Sequence, residues 1–179
     1  MSGSSHGPPS GTVAANLSID VHQQQSVLEI DDEPLRAAVR AVLTRFAVST
    51  AEISLAVLDD PAIHELNRRY LNHDCPTDVL SFVLDETDGH LEGEVIVSAE
   101  TAAAEAQRLE CSAVAELLLY VVHGTLHLVG LDDTTAEAVT SMRAAEREIL
   151  AELGWEHPRL PPAVAKPHDP PDAVTLGGR

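Results

Sequence analysis

Basic residues are scarce in this chain. Its 179 residues carry 11 lysines and arginines against 29 aspartates and glutamates, a formal charge of −18, and Lys166 is the only lysine. A protein that grips nucleic acid over a wide face is basic, so that mode of binding is excluded. Any phosphate contact must be local and made by arginines, histidines, backbone amides or a metal. Cysteine is nearly absent: Cys75 and Cys111 lie far apart and lack zinc-ligand spacing. Both read as reduced thiols of a cytoplasmic protein rather than as a disulfide framework. Long apolar runs are missing as well. The longest, around Ala113 to Val122, is too short to cross a hydrocarbon core of ~30 Å, so no membrane partner is expected. Met1 to Asn16 has neither a basic segment nor an apolar stretch of signal-peptide length. There is no internal repeat.

What is present is an ordinary globular composition, 44% hydrophobic, in a chain long enough for one domain with tails. Residues 1–15, rich in Ser, Gly and Pro, read as a flexible N-terminal tail and residues 157–179 as a Pro-rich C-terminal tail. Residues 16–156 form the domain.

Leu17, Ile19 and Val21 alternate with polar residues and predict a strand, interrupted at Gln23-Gln24-Gln25. Asp32 and Pro34 open a helix whose Leu35, Val39, Val42, Leu43 and Phe46 make one stripe. Ile53, Leu55 and Val57 alternate as a second strand. Asp60-Pro61 opens a second helix with Ile63, Leu66 and Tyr70 on one face and Arg68 and Arg69 towards the other. After a loop from Leu71 to Thr77, the near-continuous apolar run Val79 to Leu84 predicts a central strand covered on both faces. Asp88-Gly89 turns the chain into an antiparallel partner at Glu94 to Val97. Ser98 caps an alanine-rich helix to Leu109, and Ser112 starts the next one. Thr134 and Glu137 have capping-box spacing for a last helix, ended by Gly154, with Met142, Ala145 and Ile149 in its buried stripe. The pattern indicates an α+β fold: a small mixed sheet of four strands packed with about five helices.

One stretch carries chemistry: His123-Gly124-Thr125-Leu126-His127-Leu128-Val129-Gly130-Leu131-Asp132-Asp133. Histidines at i and i+4 project from one helical face. A lone histidine on an apolar helix is usually just a hydrogen-bonded core residue. Two of them, followed by a helix-stopping Gly130 and an acidic pair, fit an open zinc site of two imidazoles and one carboxylate. The spacing follows the metzincin signature H-E-x-x-H-x-x-G-x-x-H, with Asp133 at the third-ligand position. Gly124 stands where a metalloprotease has its general-base glutamate, which argues against peptide hydrolysis. Glu116, almost two turns before His123, reads as a residue that caps or solubilises the helix start. Two histidines and a carboxylate also match the facial triad of non-haem iron, so the ligands are better defined than the metal.

His123-Gly124, Leu126-His127-Leu128, Gly130 and Asp132 match the pattern H-G-x-L-H-L-x-G-Y-D-H of the YbeY family of metal-dependent endoribonucleases, also called rRNA maturation factors. Leu66-Asn67, Tyr70, Asp74 and Pro76-Thr77-Asp78-Val79-Leu80-Ser81-Phe82 resemble a second family block, and Gly93-Glu94-Val95-Ile96-Val97-Ser98 a third. The likeness spans about Leu17 to Trp155. It implies a zincin-like fold, one Zn2+, cleavage of single-stranded RNA at the small-subunit rRNA 3' end, and ribosome quality control. As partners it implies rRNA in the 30S particle, a small-subunit ribosomal protein and an Era-type GTPase.

Three positions depart from the family pattern: Asp133 replaces a histidine, Leu71 an arginine and Leu131 a tyrosine. An aspartate ligand lowers the net positive charge of the metal centre and weakens its pull on a phosphoryl oxygen. Leu71 supplies no charge for phosphate, leaving Arg68, Arg69 and His73 as the nearby substitutes. His123, His127 and Asp133 are therefore the expected ligands. His73 and Asp78 are candidates for orienting phosphate or moving a proton, and Thr77 and Ser81 for hydrogen bonds to RNA. Two other readings stay open: a non-catalytic ribosome-assembly factor stabilised by metal, and a zinc hydrolase acting on a small molecule or peptide.

Overall fold

The computed structural model describes residues 15–71, 77–87 and 89–161. Within them the chain runs β1 (Asn16–Gln24), α1 (Asp32–Arg45), β2 (Thr50–Leu58), α2 (Asp60–Leu71), β3 (Val79–Thr87), β4 (His90–Ser98), α3 (Ala99–Leu109), α4 (Ala113–Leu128) and α5 (Ala136–Glu152). The strands form one mixed sheet in the order β1-β2-β4-β3, parallel except for the antiparallel β3–β4 pair. This is the expected α+β architecture of four strands and five helices.

Period-two alternation divides the sheet into two faces. Ile19, Ile53, Leu55, Val57, Val95 and Val97 turn to one side, where they meet α1, α4 and α5 in the main core. Leu58, Leu80 and Ile96 turn to the other and pack with Ile63 of α2 in a smaller cluster. Helices α2 and α4 therefore lie on opposite faces. Helix α4 is the axis of the main core, with twelve of its sixteen residues buried. Alanines 99, 102 and 106 of α3 are buried, and their small side chains let α3 lie close beside α4.

The run Val79 to Leu84 is not a central strand. β3 is at the sheet edge, and Val83 and Leu84 are 49% and 59% exposed. Its first half alone is sandwiched, with Val79 and Ser81 under α4 and Leu80 and Phe82 under α2. A bulge between Val83 and Asp85 then shifts the register, which resumes with Asp85 opposite Glu92 and runs to Thr87 opposite His90. An edge strand covered at one end by helices on both faces reads, residue by residue, like a central one. Other differences are smaller. Gln23 and Gln24 continue β1, and Leu71 belongs to α2. Tyr70 is exposed at the end of α2, its ring 5.9 Å from that of Phe82. The α5 cap is Thr135, whose hydroxyl accepts from Ala138 N at 3.1 Å. Thr134 instead serves Asp132. Packing also continues beyond Glu156, since His157 and Leu160 are buried.

Gly124 sets how closely α4 approaches the sheet. A Cβ there would come within 2.8 Å of Val79 Cγ2 and Val95 Cγ1 and 2.9 Å of Ser81 Oγ. These are short side chains on strands, two of them β-branched, with little room to yield. A metalloprotease glutamate at this position would have to fit between helix and sheet. Gly124→Ala gains about 1 kcal/mol in helix propensity but overpacks a core contact, which costs about 1–3 kcal/mol. Urea unfolding should show a net loss of about 1 kcal/mol, and a stabilised variant would contradict the close approach.

Candidate metal centre

Helix α4 ends in a Schellman turn: Leu131 N donates to Leu126 O at 3.1 Å and Gly130 N to His127 O at 3.0 Å, with Gly130 at φ +90°. The turn folds the chain back over the last helical residues. Leu131 O thereby reaches His127 Nδ1 at 2.9 Å. Asp132 Oδ1 accepts from both Thr134 N and Thr134 Oγ1, each at 3.0 Å. These bonds hold the Asp132 carboxyl below the usual carboxylate range. Asp132 is thus the residue that shapes the turn, and Asp133 is the one presented to the histidines. Its Oδ2 lies 3.9 Å from His123 Nε2.

The opposite edges of the two rings fix their chemistry. His123 Nδ1 is 2.6 Å from Oε1 of Glu146, a residue of α5 that is 1% exposed. A carbonyl or a carboxylate can only accept, so both Nδ1 atoms carry the ring proton. In the neutral rings both Nε2 atoms are then bare lone pairs, and they face each other 3.0 Å apart. Two acceptors at that distance repel unless a proton or a metal cation lies between them. Ligand atoms of His123, His127 and Asp133 all fall within 4.8 Å of one another. The donor set of two imidazoles and a carboxylate suits a divalent metal ion.

A second group with metal-ligand chemistry, Cys111, Glu116 and His157, lies on the same helix and the segment after α5. Here the hydrogen bonds run the other way. Arg159 N donates to His157 Nδ1 at 3.2 Å, so the ring proton sits on Nε2 and is donated to Glu116 Oε2 at 2.6 Å. Arg159 Nη1 pairs with Glu116 Oε1 at 3.0 Å and Arg159 Nη2 with Glu105 Oε2 at 2.6 Å. No lone pair of His157 is left to face a cation, and Arg159 already neutralises the carboxylate. Burial, with Glu116 nearby, pushes the Cys111 thiol up, which keeps it protonated. This cluster ties the segment after α5 to the start of α4. Glu116 is therefore no solvent-facing cap; it is fully buried at the centre of that tie.

The other expected site residues are dispersed. Ser81 packs against Gly124, and its hydroxyl is buried with no hydrogen-bond partner among the described residues. Asp78 is exposed and accepts from Val79 N at 3.0 Å and from Thr77 Oγ1 at 3.3 Å, as a strand-start residue does. Arg68 pairs with Glu65 at 2.5 Å, and Arg69 lies 5.6 Å from the Tyr70 ring centroid. Both are on α2, across the sheet from the imidazoles. His73 falls outside the described residues. Glu146 was missed by sequence reasoning, although a charged residue among Met142, Ala145 and Ile149 on a buried stripe is a visible signal.

A family profile described as Endoribonuclease YbeY matches residues 19–154. The chain belongs to the YbeY family. It is 37% identical over 158 residues to Endoribonuclease YbeY of Rhodopirellula baltica, covering 84% of this chain and 81% of that one. The Moorella thermoacetica YbeY is 36% identical over 153 residues, 77% of this chain and 98% of its own. A solution structure of a Thermotoga maritima protein aligns with a TM-score of 0.55 at 25% identity, covering 76% of this YbeY-family chain and 91% of that one.

The tie at the start of α4 predicts a stability effect. Removing a buried hydrogen bond to a charged group costs about 1.5–3 kcal/mol, and His157→Ala leaves Glu116 with Arg159 alone and a cavity beside it. Denaturant unfolding should register a loss of about 3 kcal/mol for His157→Ala, whereas Cys111→Ser should cost less than about 1 kcal/mol. Equal effects would contradict the assigned network.

Proposed function

We propose that this protein is a zinc-dependent endoribonuclease that cleaves single-stranded RNA at the small-subunit rRNA 3' end, in the cytoplasm, as part of rRNA maturation and ribosome quality control. The observation that carries the reading is the pair of facing Nε2 lone pairs, with Asp133 beside them and no carboxylate at position 124. Membership of the YbeY family supports the RNA substrate and the 30S particle as its setting. A small-subunit ribosomal protein and an Era-type GTPase are the partners that go with that setting.

His123, His127 and Asp133 would hold the ion. Zinc bound there supplies a Lewis acid for the scissile phosphate and an activated water. The chain's own residues do the rest. Glu146 and Leu131 O hold the two imidazoles with Nε2 inward, so neither ring is free to take a proton at Nδ1. Asp133 is 48% exposed, which leaves the centre open on the side of the turn that a substrate would enter. Ser81, against Gly124, is the nearest uncommitted hydroxyl to the metal-bearing helix among the expected site residues. Asp78 at the start of β3 is exposed, with Thr77 beside it, and in this reading would meet polar groups of RNA. Gly124 explains why the site does not resemble a peptidase: helix–sheet contact leaves no space for a base.

The acidity of the chain constrains how RNA is held. Broad phosphate recognition through six to ten contacts loses about 10³–10⁵ in affinity between about 50 and 200 mM salt. With a net charge of −18, few phosphates are neutralised and like-charge repulsion is screened as salt rises. Apparent affinity for a single-stranded RNA oligonucleotide should therefore change less than about tenfold over that range. A loss of a thousandfold or more would contradict local recognition.

The catalytic reading is tested by metal content and cleavage together. Wild-type protein should bind one zinc per chain and cleave single-stranded RNA. Chelation should abolish cleavage, and added zinc should restore it. His127→Ala and Asp133→Ala should lose both metal and cleavage, while Cys111→Ser keeps both. Full metal content in Asp133→Ala would remove Asp133 from the ligand set, and zinc-loaded protein unable to cut any single-stranded RNA would overturn the nuclease assignment.

A further inference from the structure

Glu146 is a costly residue to keep where it is. Its carboxylate is 1% exposed on the apolar stripe of α5, between Met142 and Ile149, both also buried. Oε1 accepts from His123 Nδ1 at 2.6 Å, but Oε2 is buried without a hydrogen bond among the described residues. Arg143 Nη1 stands 3.5 Å from that oxygen on a half-exposed side chain. A buried carboxylate with one oxygen unsatisfied lowers stability, and such groups in folded proteins call for a functional reason. An apolar residue would serve the stripe better.

His127 offers the comparison. Its Nδ1 is held by a neutral backbone carbonyl, Leu131 O, at 2.9 Å. His123 alone is backed by a full negative charge. With Asp133 on the open side and Glu146 behind, two carboxylates bracket the point where the lone pairs converge. Their summed charge balances a divalent cation.

We infer that Glu146 is a positioning residue for the metal: through His123 it fixes the ring tautomer, strengthens Nε2 as a donor and completes the charge balance of the loaded site. The inference rests on the metal-site half of the proposed function and is independent of the RNA substrate. Outer partners of this kind affect metal affinity by about 10–100-fold.

Glu146→Gln and Glu146→Ala separate the roles. Gln keeps an oxygen to accept from Nδ1 and removes the charge, whereas Ala removes both. Zinc affinity is measured by competition with a chromophoric chelator, and the melting temperature is measured on the metal-free protein. Zinc binding should weaken about tenfold in Glu146→Gln and about a hundredfold in Glu146→Ala. Metal-free Glu146→Gln should melt at or above the wild-type temperature, because it no longer buries an incompletely paired charge. Wild-type zinc affinity in Glu146→Gln would overturn the inference, as would a fall in its metal-free melting temperature that marks Glu146 as a structural residue. If Glu146→Ala does not fold, Glu146→Gln decides alone. Wild-type protein that binds no zinc would instead defeat the metal centre itself, so the two failures are distinguishable.

Discussion

Two imidazole nitrogens held face to face, each with its proton committed on the far side of the ring, are the constraint around which this fold is arranged. Neither ring can relieve the repulsion by changing tautomer, since a carboxylate and a carbonyl occupy the opposite edges. Holding both rings still requires a rigid helix, and α4 is buried on nearly every side. It also requires the chain after the helix to return, which the Schellman turn at Gly130 provides. α5 must then pass close enough to place a carboxylate behind His123. Burial, turn and second helix serve one geometry.

Helix α4 carries a polar stripe through the core: Glu116, Tyr120, His123 and His127, spaced by four, three and four residues on one face. The two ends of the stripe solve the buried-polar problem differently. At the start, His157 Nε2 donates to Glu116 Oε2 and the Arg159 guanidinium stands 3.0 Å from Oε1, an ion pair without a hydrogen bond at that oxygen, so a donor and a cation already face the carboxylate. Burial, reinforced by the Glu116 carboxylate, pushes the Tyr120 hydroxyl far above its ordinary range and keeps it protonated. At the end of the helix the donors are all turned outward and only acceptors point in. The same residue types give a closed ion pair in one place and a cation-demanding site in the other. The difference lies in which ring nitrogen holds the proton.

Much of this was legible in the sequence because it is local. His123 and His127 at i,i+4, Gly130 after them and Asp133 three residues on are fixed by helical geometry and one turn. The helix caps at Ser98 and Ser112 are local too, as is the alternation that defines β1 and β2. What the sequence concealed depends on residues distant along the chain. Glu146 meets His123 across 23 residues and His157 meets Glu116 across 41, and no periodicity records such pairings. The edge position of β3 was hidden because α2 and α4 cover its first half from both sides. The capping-box spacing pointed to Thr134, but Thr134 donates to Asp132 and the cap falls to Thr135. Arg68 and Arg69 are close along the chain to Leu71, where the family pattern has an arginine, yet the sheet separates α2 from α4.

The most direct measurement is anomalous scattering at the zinc edge from crystals grown with zinc. The account predicts one peak between the two imidazoles, about 2 Å from Nε2 of His123, Nε2 of His127 and a carboxylate oxygen of Asp133. A peak among Cys111, Glu116 and His157, or rings bound through Nδ1 with Glu146 turned away, would contradict it.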